Sequence, residues 1–315
     1  MRRAIKAWER FWFAPQPTST LALFRIAFGL VALVWTLLLA PDLLTFFSRD
    51  GIVPRQPEYL IDTPWMWGLL GGAPGDAVVI ALFAVLLVAC LCVLVGYRTR
   101  LASAAVFVGI LSFVRRDPFV FNAGDALLRV MALYLALAPA GASLSVDRWR
   151  KARDSFWEFP ARAPWALRLV QIQLSVLYLS TVWQKLQGDA WLDGTAVSYV
   201  LRQDDLLKLE LPTAITGSPV VSAVLTYGTL AVELAVGVLI WNRRARPYVV
   251  VPAILLHVLV DVIMAAALIS AAMLTAFVSF VPPETASRWI ARLRNRDFRL
   301  FPERWRSSRA EALSD

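Results

Sequence analysis

The sequence predicts an all-α fold: a polytopic integral membrane helical bundle of about eight transmembrane helices, with both termini cytoplasmic. Three observations predict it. Of 315 residues, 58% are hydrophobic and only 17% are charged, and the mean hydropathy is +0.60. A soluble domain carries about 25% charged residues, so the apolar excess must face something other than water. Apolar runs of membrane-spanning length recur along the chain, and clusters of basic residues follow every second run, as the positive-inside rule asks.

Residues 1–19 read as an amphipathic interfacial segment, because Trp8, Phe11 and Trp12 are interleaved with Arg2, Arg3, Lys6 and Arg10. The basic start, residues 1–10, is followed by a full-length apolar span and no small-residue cleavage site, so that span is expected to be retained. Spans are expected over residues 20–40, 77–97, 101–114, 126–146, 166–184 and 220–241. Residues 247–281 then supply either two short helices or one helix and a re-entrant piece. Two are needed to return the tail to the side of the other basic clusters, although helices of about 17 residues only just cross the hydrocarbon. The domain plan is therefore an interfacial segment (1–19), a membrane domain (20–283) and an Arg-rich cytoplasmic interfacial tail (284–315). The expected localisation is the cell membrane, multi-pass.

The net charge of +9 resides at the amino terminus, Arg98 and Arg100, Arg148 to Arg153, Arg243 to Arg246, and the tail from Arg288 to Arg309. That distribution follows membrane topology and excludes a nucleic-acid partner. Outer segments are expected at residues 41–75, 115–124 and 185–219 and in a turn after Asp261. Cys90 and Cys92 point to different faces of one helix and read as packing residues. The glycine-rich stretch 71–75 follows no strand and lacks the Lys-Ser/Thr of a phosphate loop, so it reads as a turn.

Ionisable side chains inside a membrane are costly, so each has a structural and a functional reading. Lys185 closes the span at 166–184. It is either a lysine snorkelling beside Trp183 and Trp191 or a desolvated amine able to act as a base. His257, the only histidine, stands four residues before Asp261, so the carboxylate can orient the imidazole; the alternative is a polar pair that bonds neighbouring helices. A lone histidine excludes a metal centre with the ligands nearby. Asp125 and Arg129 have the same spacing, read as an internal ion pair or as a hold on a polar head group at the outer face. Arg25 and Glu233 stand isolated on the first and sixth spans, each expected to find a partner inside the bundle.

Several segments together resemble one known family. They are Leu23-Phe-Arg25-Ile-Ala-Phe-Gly29-Leu30, Pro41-Asp42-Leu43-Leu44 with Gly51-Ile52, Asn122-Ala-Gly-Asp125, Ser145-Val-Asp147, Gln173 to Tyr178 leading into Gln184-Lys185-Leu186, Trp191-Leu-Asp-Gly-Thr195, and the helix of His257. In this order they resemble the HTTM (horizontally transferred transmembrane) family, whose best-known member is the vitamin K-dependent gamma-carboxylase. There, a lysine in a Lys-Lys-Leu segment is regarded as the base that deprotonates reduced vitamin K. Lys185 matches it by motif position, with Gln184 in place of the preceding lysine.

The resemblance implies a reduced quinone cofactor of the vitamin K or menaquinone type. Lys185, neutral in a dry outer-leaflet pocket, would take a proton from the hydroquinone, and oxygen would then convert the anion to an epoxide and generate a base strong enough for a poor carbon acid. It implies Lys185 and His257 as catalytic residues, with Asp261, Asp125, Arg129 and Trp191 as cofactor-binding residues. The partners expected are the lipid bilayer, a lipid quinone and a secreted peptide or small-molecule substrate. The sequence ends soon after its last span, without the carboxylase's large lumenal domain, so propeptide-directed glutamate carboxylation is not expected. Other members are tied to secreted peptide toxins. A non-enzymatic membrane factor for maturation, export or immunity of a secreted peptide is therefore the competing expectation, and a transporter using Arg25 and Glu233 is the third.

Overall fold

The computed structural model describes residues 2–53, 67–72, 74–203, 207–209, 211–264 and 268–300, the last six of these as backbone alone. The rest of the expected tail, and parts of the outer segments at 41–75 and 185–219 and of the turn after Asp261, lie outside the described residues.

The chain runs through α1 (Arg2–Phe13), β1 (Gln16–Pro17), α2 (Ser19–Leu38), α3 (Leu43–Phe47), α4 (Asp76–Val95), α5 (Thr99–Arg116), α6 (Ala123–Leu137), α7 (Val146–Lys151), β2 (Ala161–Arg162) and α8 (Trp165–Lys185). It continues through α9 (Asp189–Leu192), α10 (Ala196–Val200), α11 (Thr213–Thr216), α12 (Pro219–Leu239), α13 (Arg246–Ile263), α14 (Ile269–Val278) and α15 (Pro283–Leu300). Among the described residues five helices, α2, α4, α8, α12 and α13, are long and apolar enough to cross a membrane, and a sixth crossing arises if α14 and α15, bent by 105° at their junction, count as one span. The remaining expected spans fall short of that standard for physical reasons. Helix α5 carries Arg100, Arg115 and Arg116, α6 has 15 residues, and α14 has 10 residues. At 1.5 Å per residue α14 covers about 15 Å, half the hydrocarbon thickness, so within residues 247–281 the described helices are one of spanning length and one about half as long.

Helix ends are set locally. Asn122 and Asp125 form a capping box at the start of α6, and Ser145 and Ser218 accept from backbone N–H groups at the starts of α7 and α12. Helix α4 ends at Gly96 with φ 75°; a Cβ there would come within 2.2 Å of Arg25 Nη1 and 2.4 Å of Ser145 Cβ, so both the backbone and the packing demand glycine.

The core is a stack of apolar side chains from the five helices of spanning length and from α5, α6 and α14, including Phe24, Phe28 and Trp35 of α2, Leu86 of α4, Phe113 of α5 and Met131 of α6. Cys90 is buried in it and both cysteines are free thiols. The outward face is as apolar as the core: Val85, Val88 and Leu91 of α4 and Val220, Val224 and Leu234 of α12 are exposed. Water does not tolerate so large an apolar surface, and lipid covers it.

The basic segments gather at one end of the bundle. Arg168 Nε donates to the carbonyl of Phe11 at 3.3 Å, which ties α1 to the start of α8, and β1 pairs antiparallel with β2. Ser19 Oγ donates to the carbonyl of Pro283 at 2.8 Å and brings in α15. The Asp147 carboxylate accepts from the backbone N–H groups of Arg98 and Thr99, at 2.8 and 2.9 Å, and from the Thr99 hydroxyl at 2.7 Å. Arg25, fully buried, donates to the carbonyl of Leu144 at 2.6 Å in the same region, so its partner is backbone.

Candidate functional site

Helix α8 carries a line of polar residues at helical spacing: Gln171, Ser175, Tyr178, Thr181 and Lys185. Between them they reach four side-chain or backbone partners, and the last two share Glu233. Gln171 Nε2 donates to the carbonyl of Ser279 at 2.6 Å, and Ser175 Oγ accepts from the Trp241 indole at 2.9 Å. The Tyr178 hydroxyl and His257 Nε2 share a 2.6 Å hydrogen bond, while Thr181 Oγ1 donates to Glu233 Oε2 at 3.4 Å. Lys185 Nζ donates to Glu233 Oε1 and lies 4.8 Å from the centroid of the Trp191 ring. Phe277 completes an aromatic triangle with Tyr178 and His257, at centroid separations of 6.2 and 6.4 Å.

The two partners occupy different positions along their helices. Lys185 is the last residue of α8, which suggests the outer margin. Its partner Glu233, however, sits inside α12, about 9 Å from the end at Leu239 and about 21 Å from the end at Pro219. His257 lies about 16 Å along α13 from Arg246. The pair is thus within the bundle, with the Lys185 and Glu233 side chains only 22% and 11% exposed.

The chain after Lys185 folds back over the far half of α12. The carbonyl of Gly194 accepts from Ser222 Oγ at 2.9 Å, that of Leu192 accepts from the Tyr227 hydroxyl at 2.6 Å, and Val197 N–H donates to Thr226 Oγ1 at 3.2 Å. Gly194 has φ 73°, and a Cβ would stand 3.0 Å from the Tyr227 ring, so glycine is required to close this turn and set Trp191 beside the amine.

Two expected pairs are replaced by others. Asp125 makes no ion pair with Arg129. Its Oδ1 accepts from the Trp35 indole at 2.6 Å and its Oδ2 from the backbone N–H of Asn122 at 2.5 Å, so helix capping and an interhelical bond take the whole carboxylate. Asp261 acts on His257 only through space, and its own carbonyl accepts from Lys208 Nζ at 2.9 Å. The imidazole is oriented by Tyr178 instead. Asp125, Asn122 and Trp35 line a separate cavity of about 200 Å³ walled by Phe46, Phe47 and Phe121. Neither of the two cavities described is lined by Lys185 or His257. Glu233, noted in the sequence only as isolated, is the partner of Lys185, which leaves no unpaired acid on α12 to mark a transport path. Tyr178 and Thr181 were missed, although their spacing from Lys185 on one helical face was the signal. No group of metal-ligating side chains is present among the described residues.

The HTTM domain family matches residues 13–284. The chain belongs to the HTTM family. Comparison with curated proteins and with solved structures gave no significant match. The segments that carry the HTTM resemblance have structural work in this chain: Arg25 and Asp147 knit the basic end, Asn122 and Asp125 cap α6, Gly194 turns the chain against Tyr227, and Trp191 stands beside Lys185.

Proposed function

We propose that the protein is a membrane-embedded, vitamin K-dependent gamma-carboxylase-like HTTM enzyme of the cell membrane, with both termini cytoplasmic, acting with a reduced lipid quinone and oxygen. The observation that carries this reading is the Lys185–Glu233 pair inside the bundle, beside the Tyr178–His257 hydrogen bond. The residues suit an aromatic quinol: Trp191 offers a ring face next to the amine, and Tyr178, His257 and Phe277 offer an aromatic wall with polar atoms. When bound, such a quinol supplies an acidic O–H and, through oxidation by oxygen, a base strong enough to abstract a proton from a carbon acid.

The chain's own residues then have distinct roles. The proton shared in the pair passes to Glu233, which frees the Lys185 amine to receive the quinol proton, and the ammonium so formed balances the charge of the quinolate. The Thr181 hydroxyl divides its single proton between the carbonyl of Tyr178 at 2.9 Å and the second oxygen of Glu233 at 3.4 Å, and so keeps a polar group beside the carboxylate. Tyr178 holds the imidazole of His257 in one orientation, where it can bind a quinone oxygen. The fold-back over α12, closed at Gly194, holds Trp191 beside the amine.

The test is oxygen uptake and mass-spectrometric detection of quinone epoxide by protein in lipid nanodiscs supplied with a menaquinol-type substrate. Wild-type protein is expected to turn over, and Lys185→Ala to abolish turnover while remaining folded. Absence of epoxide from wild-type protein, or unchanged turnover in Lys185→Ala, refutes the enzyme reading and leaves the non-enzymatic peptide-maturation factor.

A further inference from the structure

At the basic end of the bundle, a cavity of about 490 Å³ opens between α1, the start of α8, the turn that joins α12 to α13, and the end of α14. Two kinds of wall meet there. Phe11, Trp241 and Phe280 form an aromatic side, with centroids 5.9 Å apart for Phe11 and Trp241 and 5.4 Å for Trp241 and Phe280. The other side carries Arg162, Arg168, Arg243 and Arg246, against one acid among the described lining residues, the exposed Glu284.

No carboxylate lies within ion-pair distance of any of these guanidiniums among the described residues. Two of the arginines are nevertheless held in place. Arg168 donates from Nε to the carbonyl of Phe11 at 3.3 Å and from Nη1 to Gln171 Oε1 at 2.9 Å. Arg246 donates from Nε to the carbonyl of Ile240 and from Nη1 to that of Phe280, both at 2.9 Å. Each keeps Nη2 uncommitted, and the two lie within electrostatic reach of each other and of Arg243.

Fixed like charges without a counter-ion cost free energy that a multivalent anion removes, and preset guanidinium forks match phosphate oxygens. The source of that anion follows from α1, which forms one wall. Its Ile5, Trp8 and Phe13 are exposed on an otherwise basic helix, the pattern of a helix lying in the membrane interface, so the cavity opens at headgroup depth. We infer that this cavity binds the phosphate headgroup of an acidic phospholipid, with the arginines on the phosphate and the aromatic wall against the glycerol and upper acyl carbons. The inference requires only that the chain sits in a bilayer and is independent of quinone chemistry.

The experiment compares phosphatidylglycerol with phosphatidylcholine of the same acyl chains, added to full-length protein in detergent, by native mass spectrometry and thermal unfolding. Phosphatidylglycerol is expected to bind and to raise the unfolding temperature; phosphatidylcholine is not. Arg243 is exposed and makes no hydrogen bond, so Arg243→Gln leaves packing intact. It is expected to weaken phosphatidylglycerol binding about tenfold, the order of one lost charge-assisted hydrogen bond. Arg150→Gln removes the same charge from the same end, away from the cavity, and is expected to change binding less than about twofold. Glu284→Gln is expected to tighten binding. Equal losses in Arg243→Gln and Arg150→Gln, equal binding of the two lipids, or full reproduction of the stabilisation by inorganic phosphate would each overturn the inference.

Discussion

The Lys185–Glu233 pair can be tested as a structural element and as a chemical one in a single cycle of variants. Removing one partner leaves a charge in the bundle with nothing opposite it, which costs about 3–5 kcal/mol for a buried pair. The Lys185 side chain is 22% exposed, so the lower end, about 3 kcal/mol, applies to Lys185→Met and to Glu233→Leu. At about 2 °C per kcal/mol for a chain of this size, each single variant is expected to unfold about 6 °C below wild type in detergent. Replacing both charges with apolar groups of similar volume removes the desolvation cost along with the attraction and is close to neutral. The Lys185→Met/Glu233→Leu protein should therefore recover to within about 2 °C of wild type while remaining without hydroquinone oxidation. Thermal unfolding and oxygen uptake on the same preparations read both quantities. A double variant whose loss equals the sum of the singles would show that the two side chains are not energetically coupled. A stable double variant that retains turnover would remove the pair from the chemistry.

Three further outcomes follow from the geometry. Tyr178→Phe deletes one end of the 2.6 Å bond to His257 and strands a buried imidazole nitrogen, which should cost about 1–3 kcal/mol by thermal unfolding; Tyr178→Phe/His257→Leu should recover most of it, and no loss in the single variant would show that the bond is not formed. Burial by itself raises the Asp147 carboxyl, but hydrogen bonds from the Thr99 backbone, the Thr99 hydroxyl and the Arg98 backbone, with the charge of Lys151, outweigh it and hold the group below the ordinary carboxylate range. Its contribution to stability is therefore present above about pH 4 and lost as pH falls through the lower folded value, so wild type should lose more stability than Asp147→Asn between about pH 5 and pH 2; parallel acid limbs would contradict this. Gly194→Ala forces a side chain into a left-handed backbone 3.0 Å from the Tyr227 ring and should cost about 1–3 kcal/mol, and an unchanged melting temperature would show that the turn against Tyr227 is not fixed.

The long apolar runs were legible because lipid selects on length and composition, properties that a single segment displays by itself. The end of each helix was less so: α6 stops at Leu137, nine residues before its expected end, because Ala138 is already extended. The side-chain partners were the least legible. Asp125–Arg129 and His257–Asp261 were paired on i,i+4 spacing, a contact worth only about 0.2–0.5 kcal/mol on a helix surface. An unbonded indole, backbone N–H or phenol inside a bundle costs about 1–3 kcal/mol, so Trp35 and Asn122 took the carboxylate of Asp125, and Tyr178 took the imidazole of His257. The partner of Lys185 stands 48 residues away on α12 and becomes visible only when α8 and α12 are packed.

The polar face of α8 shows why such partners decide the architecture here. Apolar contact gives helices in lipid little preference for one another over acyl chains, so hydrogen bonds between helices carry specificity that a soluble core obtains from burial. Gln171 faces the end of α14, Ser175 the end of α12, Tyr178 the middle of α13, and Thr181 and Lys185 together the interior of α12. One helical face thereby fixes the rotation and depth of three neighbours. It also joins the arginine-lined cavity, where Gln171 is a wall residue, to the Lys185–Glu233 pair about 21 Å further along the helix. A shift of α8 along its axis would break all five contacts at once, so the register that builds the bundle is the same register that presents Lys185 to Glu233.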